Sequence, residues 1–219
     1  MVLKALKNKI GHSALAEAVL PCGPGRKRDE ATRQAILQAA YELLAAEGYR
    51  CFTIEGVAER AGAAKTTIYR WWPSKGVLAI ESFLPVYTKD TPFPHGASAI
   101  QDLKTHVRLQ AKTLSGRDGA ILMELVAAGL TDPAMRKLYH DRVVVPRRQL
   151  GAEMLRRGIA QGEFRADIDI ETALDALYGP FYSRFLAGIG PCDEAWADRL
   201  CDTVLRGLLK REQHASSQT

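Results

Sequence analysis

An all-α fold is predicted for this chain, and three features of the sequence predict it. Apolar residues recur at three- and four-residue spacing along nearly all of the chain after Gly25. Ser, Thr and Asp stand where these runs begin, and Gly or Pro where they stop. The alternation that marks a half-buried strand is missing, and so is any internal repeat.

The first helix carries Ile36, Ala39, Ala40, Leu43 and Leu44, and Gly48 is expected to stop it. Phe52 is placed to plug the gap before the next helix. Thr53 is the natural N-cap of that second helix, with Glu55 and Glu59 near its positive end. Ile54, Val57, Ala58 and Ala61 make its buried stripe, and Gly62 breaks it. A third helix runs from about Lys65 to Pro73, which cannot continue it. Ser74 caps a fourth, which carries Val77, Leu78, Ile80, Phe83 and Leu84. The segment Pro92-Phe93-Pro94-His95-Gly96 then marks a boundary.

Longer helices follow. One carries Ile100, Leu103, Val107, Ala111 and Leu114, and the next Ile121, Leu122, Leu125, Val126 and Leu130. Asp132 before Pro133 is an N-cap with proline at the first helical position, opening a long helix toward Gly162 that Pro146 should kink. The helix from Ile170 is rich in Tyr and Phe (Tyr178, Phe181, Tyr182, Phe185) and carries a Gly179-Pro180 irregularity. Asp193 caps the last, with Trp196, Leu200, Val204, Leu205 and Leu208. The expected organisation is an extension over 1–25 ending in the linker Pro21-Cys22-Gly23-Pro24-Gly25, a first domain over 26–90, a second over 91–212, and a tail over 213–219.

With 219 residues, 47% of them hydrophobic, the chain can bury one good core or two smaller ones. Charged residues at 25% argue against wholesale disorder. The net charge of +5 is weak evidence for a polyanionic partner, but its distribution says more. From Arg60 to Ile80 the charges are Arg60, Lys65, Arg70 and Lys75, with no acid among them, while Glu42, Glu47, Glu55 and Glu59 lie just before. Such a run is either a solvated face or a nucleic-acid surface. Four scattered cysteines without a CxxC pair fit a reducing cytosol, so a cytoplasmic location is expected. No apolar run approaches the roughly 20 residues of a membrane span. The start of the chain superficially resembles a signal peptide, but Glu17 interrupts the apolar stretch and no small-x-small site follows.

Lys65-Thr66-Thr67-Ile68-Tyr69-Arg70-Trp71-Trp72-Pro73-Ser74-Lys75 is the most informative segment. A helix-turn-helix needs a small residue where two helices cross, here Ala58, and a glycine in the turn, here Gly62. Val57 and Ile68 serve as its apolar anchors. The remaining face of the second helix then carries Lys65, Thr66, Thr67 and Arg70. Short Thr side chains let a helix sit deep in a major groove, where their hydroxyls and methyls meet base edges. Tyr69, Lys75 and Thr53 suit phosphate oxygens. Trp72 reads as a core residue, whereas Trp71 stands between core and groove. The run Arg26-Lys27-Arg28 is either an arm for the minor groove or a solvated linker.

Arg33 to Phe83 resembles the DNA-binding domain of the TetR family of transcriptional regulators, through Thr53 to Gly62 and Lys65 to Lys75. The resemblance implies a three-helix helix-turn-helix DNA-binding domain plus a larger helical ligand-binding and dimerisation domain, in a homodimer that reads double-stranded operator DNA and usually represses until a small effector arrives. It places Thr53, Tyr69 and Lys75 on phosphates and Lys65, Thr67 and Arg70 in the groove; Thr66 joins them from the reading of the helix face, and Trp71 stands where the family commonly has Tyr or His. Ala63-Ala64 departs from the Val-Ser common in the family, which removes a hydroxyl from the start of the reading helix. Residues 167–209 resemble the family's C-terminal segment, more weakly, through Leu177-Tyr178-Gly179-Pro180 and Asp193 to Asp198.

By the same resemblance the last two helices pair with their mates in a dimer, and Leu177, Phe181, Phe185, Leu200, Val204 and Leu208 offer the apolar surface for it. Leu103, His106, Val107, Met123, Val126, Tyr139, Val143 and Tyr178 lie on the helices that enclose ligands in the family. No acid or arginine stands out as a ligand partner, so a mainly apolar effector is expected. His106 and His140 could hydrogen-bond it. No metal or cofactor is expected, because the five histidines show no HExxH or similar spacing. Two other readings compete. A thiol-dependent enzyme would use Cys201, whose neighbour Asp202 should raise the thiol pKa. An architectural protein would bind DNA without sequence preference, against which the Thr-rich face argues.

Overall fold

The computed structural model describes residues 24–209, with side chains from Asp29 onward, and every regular element among them is a helix. The extension before residue 24, the tail from residue 210 and the side chains of Arg26-Lys27-Arg28 lie outside the described residues.

Helix α1 (Pro24–Cys51) begins inside the expected linker, with Pro24 and Gly25 in its first turn. A proline there gives up an N–H that has no helical partner in any case. Up to Ala35 the helix forms a unit by itself, in which Glu30 accepts a bond from Gln34 and sits 3.8 Å from Arg33. Gly48 (φ 74°, ψ 170°) interrupts the helix, as its position suggested, but a further turn runs on to Cys51.

The second unit runs from Ile36 to the end of the chain. Its further helices are α2 (Ile54–Ala61), α3 (Lys65–Trp71), α4 (Lys75–Asp90), α5 (Ala99–Leu114), α6 (Arg117–Thr131), α7 (Pro133–Tyr139), α8 (Val145–Ala160), α9 (Ile170–Ala187) and α10 (Glu194–Leu208). Side chains close the helix starts where the sequence placed them. Thr53 Oγ1 accepts from Gly56 N at 3.1 Å, Ser74 Oγ from Val77 N at 3.3 Å, and Asp193 Oδ1 from Trp196 N at 2.7 Å. Asp132 Oδ1 accepts from both Ala134 N and Met135 N. Each bond satisfies a backbone donor that has no partner within its helix.

The long helix expected from Asp132 forms in three pieces. A π-helical turn over His140–Val144 joins α7 to α8, with the N–H of Val145 reaching back five residues to the carbonyl of His140. Pro146 explains this, because it has no N–H to give and its ring crowds the preceding turn. The wider turn absorbs the mismatch without ending the helix. Inside the unit, Ile36, Leu44, Phe52, Val57, Ile68, Trp72, Leu78 and Phe83 bury together beneath α2, α3 and α4. The same core continues among the other helices through Leu103, Val107, Leu122, Leu155, Leu174 and Phe181.

Candidate nucleic-acid interface

Gly62 at the corner between α2 and α3 has φ 59° and ψ 32°, a left-handed conformation that a side chain resists. A Cβ there would meet nothing within 4 Å, so backbone conformation alone demands the glycine. The turn is held by Ala63 N donating to Ala58 O at 3.0 Å. Ile68 and Trp72 are wholly buried and fasten α3 along one side. Trp72 Nε1 donates to Glu81 Oε2 at 2.9 Å, so its indole has the polar partner that a buried ring nitrogen needs.

The opposite side of α3 faces outward. Thr66, Tyr69 and Arg70 are exposed, Tyr69 at 51%, while Thr67 and Trp71 are half-buried. Arg70 lies with its guanidinium carbon 4.9 Å from the Trp71 ring centroid, which gives Trp71 a role in orienting the cation. Thr53 accepts a backbone bond yet keeps its own hydroxyl hydrogen for an outside acceptor. Ala64 caps α3 without any side-chain bond, as its lost hydroxyl implied.

Two lysines are already engaged. Lys65 Nζ sits 2.9 Å from Glu55 Oε1, and this bond holds the Glu55 carboxyl below its usual range. Both groups are exposed, where such pairs contribute little and exchange readily for another anion. Lys75 Nζ donates to Phe52 O at 3.3 Å and lies 4.7 Å from the Tyr49 ring centroid. The outward edge therefore has an acidic neighbour, Glu55, which the acid-free run from Arg60 to Ile80 did not reveal.

Helix α4 leads from this region to a cavity. At its start Gly76 abuts α7, and a Cβ there would come 2.9 Å from Met135 Sδ, so a larger residue would require the Met135 side chain to move. Midway, Glu81 Oε1 lies 3.6 Å from Arg142 in the π-helical turn. Near its end Tyr87 enters the cavity wall. The cavity encloses about 80 Å³ among α4, α5, α6, α8 and α9. Of the expected pocket residues, Met123, Val143 and Tyr178 line it. Leu103, His106, Val107 and Tyr139 are buried in the surrounding core, and Val126 is half-buried on α6 away from the wall.

The cavity also has a polar wall, which the spacing of apolar residues does not mark. Gln110, Arg147, Arg148 and Tyr182 all reach the cavity, although no arginine stands out in the sequence as a ligand partner. Arg147 Nη2 donates to Thr91 O at 3.1 Å and Gln110 Oε1 at 3.4 Å, and its guanidinium lies between the rings of Tyr87 (4.5 Å) and Phe93 (5.0 Å). Gln110 in turn donates to Tyr87 OH at 2.7 Å. Arg147 falls four residues after Val143 and directly after the kinking Pro146, the one sequence signal that could have placed it. His106 donates through Nδ1 to Pro92 O at 2.6 Å and stacks on Phe93. Burial, with Arg147 nearby, pushes its pKa down to about 3 against the hydrogen bond to Pro92, so the ring is neutral. His140 is exposed beside Asp141 and away from the cavity.

The expected dimer residues divide. Leu177, Phe181 and Leu208 are buried within the single chain, and Phe181 lines the cavity, so their apolar surface is already used. They fall on the inner sides of α9 and α10, which helical spacing alone could not tell from the outer sides. Phe185 is exposed, with Leu186 and Ile189 beyond it, and Leu200 and Val204 are half-buried. Cys201 is buried, and burial followed by Asp198 raises its thiol to about 11, which leaves little thiolate at neutral pH. Among the described residues no helix is long and apolar enough to cross a membrane.

Residues 36–81 match the family described as "Bacterial regulatory proteins, tetR family", and residues 93–204 match "Tetracyclin repressor-like, C-terminal domain". The chain is 38% identical to the HTH-type transcriptional regulator YdeS of Bacillus subtilis (strain 168), over 84% of this chain and 93% of that one. It is 28% identical to the DNA-binding transcriptional repressor TetR of Mycobacteroides abscessus, over 84% and 96% of the two chains. Among solved structures, the TetR family transcription regulator SCO0332 is similar with a TM-score of 0.72 and 34% identity, covering 82% of this chain and 99% of that one.

Proposed function

We propose, on the premise that this chain belongs to the tetR family of bacterial regulatory proteins, that it is a cytoplasmic, dimeric, sequence-specific repressor released from its operator by a small ligand. The observation that carries this is the outward edge of α3. Thr66, Thr67, Tyr69 and Arg70 stand clear of the buried Ile68 and Trp72, on a helix fastened at a fixed angle by its neighbours. Thr66 and Thr67, with Lys65 and Arg70, read base edges, while Thr53, Tyr69 and Lys75 hold phosphates and Trp71 steadies Arg70. Lys65 exchanges Glu55 for DNA on binding.

In this reading residues 26–90 form the reading domain, and 91–212 the ligand and dimer domain. Phe185, Leu200 and Val204 lie in the dimer interface, joined by the exposed Leu186 and Ile189. A twofold dimer sets two reading helices about one DNA turn apart, roughly 34 Å, so small changes in their separation change affinity steeply. Helix α4, about 24 Å long at 1.5 Å per residue, supplies the lever. One end carries Lys75 and the other is clamped by Arg147 and Gln110. A ligand that alters that clamp moves the reading head.

The test is selection of bound fragments from the source genome, followed by titration of the recovered duplex and a scrambled one at several salt concentrations. The expected result is one palindromic site bound at least about a thousandfold more tightly than random duplex. Equal affinity for both, with the same salt dependence, would overturn the reading in favour of an architectural protein.

A further inference from the structure

The cavity holds a cation without a counter-charge. Arg148, its neighbour, is paired with Glu171 and Asp175 on α9. Arg147 has no such partner: among the described residues no carboxylate lies within ion-pair distance of it, and its hydrogen bonds run from Nη2 alone, to a carbonyl and an amide oxygen. The rings of Tyr87 and Phe93 flank the guanidinium. Nε and Nη1 thus have no hydrogen-bond partner among the described residues. Beside it on the same wall, the Tyr178 hydroxyl is buried and has no hydrogen-bond partner. An unpaired buried donor is unfavourable until a ligand arrives, and a half-buried cation without a counter-charge favours an anionic one.

We propose that this cavity takes a small organic carboxylate, held at its charged end by Arg147 and the Tyr178 hydroxyl, with its apolar body against Leu122, Met123, Val143 and Phe181. This rests on the ligand-release reading above and names the class of ligand. A carboxylate supplies the missing counter-charge while accepting a charge-assisted bond from Nη1 or Nε of Arg147 and a second bond from the Tyr178 hydroxyl, which an amide or alcohol cannot do. A cationic ligand would be repelled by Arg147, and a neutral one would leave it uncompensated. The enclosed space of about 80 Å³ is roughly half that of an engineered cavity that takes benzene. A short aliphatic acid therefore fits with little movement, and a ring only after side chains shift. Because Arg147 also holds Thr91 O at the end of α4, a carboxylate bound to it acts on the lever directly.

The experiment measures thermal stabilisation of the full chain by butyrate, hexanoate, octanoate and benzoate, each beside its primary amide and the amine of the same chain. The acids should raise the midpoint while amides and amines do not. Arg147→Gln should lower acid affinity at least about tenfold. Since that variant also weakens the clamp on α4, Tyr178→Phe serves as the second probe. It removes only a hydroxyl with no protein partner, so it should leave the unliganded midpoint unchanged or higher while weakening acid binding. Equal stabilisation by acids and amides, acid binding that survives in Arg147→Gln, or no response to any acid at millimolar concentration would each overturn the proposal. Specific DNA binding with no acid binding sinks this inference alone. Acid binding without DNA release keeps it and sinks the release reading.

Discussion

The surface of the α2–α3 pair is assembled from one short stretch of chain, Thr53 to Lys75, whereas the cavity wall draws Tyr87, Gln110, Arg147 and Tyr178 from four helices. The reading edge shows its polar groups to solvent, and its cross-helix ion pair of Lys65 with Glu55 is exposed and weak. The cavity buries the Tyr178 hydroxyl, where an unpaired polar group carries a real free-energy penalty, and half-buries the Arg147 cation beside it. The comparison teaches that a surface meant for a long polyanion can be specified by local spacing. A pocket for a small molecule depends on where distant helices happen to converge.

The strongest way to break the contrast is Trp72→Ala. That ring is fully buried and bonded to Glu81, so its loss should destabilise the chain by about 3–5 kcal/mol and abolish DNA binding, by denaturant titration and duplex binding. A loss below about 1 kcal/mol would mean that α3 is held by other means.

His106 tests the buried side through pH. Its folded pKa lies near 3 and its unfolded pKa near 6.5, so the unfolded chain binds the extra proton between those values. Stability is therefore full above about pH 6.5 and falls below it, by at most about 1.4 kcal/mol per unit. Between pH 6.5 and 5 the unfolding free energy should drop more in the parent than in His106→Asn. Parallel slopes would contradict a neutral buried ring.

On the reading edge, Thr67→Ala should lose about 1 kcal/mol of discrimination at the base pair it touches, whereas Tyr69→Phe should weaken all duplexes alike. Competition against a randomised duplex library separates the two, and identical profiles would dissolve the division between base and phosphate contacts. Ala64→Ser should supply the missing cap of α3 and stabilise by roughly 0.5–1 kcal/mol, read as a higher denaturant midpoint. The smallest effect is expected from Glu55→Gln. It frees Lys65 and should raise affinity modestly for every sequence, most visibly at low salt.

Much of the helical framework was legible because it rests on short-range chemistry. Thr53, Ser74, Asp132 and Asp193 cap the helices they were assigned, and Gly62 takes the left-handed turn. Pro146 was expected to kink its helix, but whether it would break the axis or widen one turn depended on the packing around it, and the π-helical turn is the outcome. Pro24 and Gly25 read as linker residues, yet they open α1, since a proline is as acceptable in a first helical turn as in a loop.

Sequence alone determined the helical class, the caps and the residue types on the reading edge, because those follow from interactions between residues a few positions apart. Tertiary structure alone decided that Phe181 and Leu177 face inward, that Arg147 reaches a cavity without a counter-charge, and that Lys65 meets Glu55. The reason is that a helical repeat fixes which residues share a stripe. Only the packing of one helix on another decides which stripe is buried and which side chains from distant segments face each other.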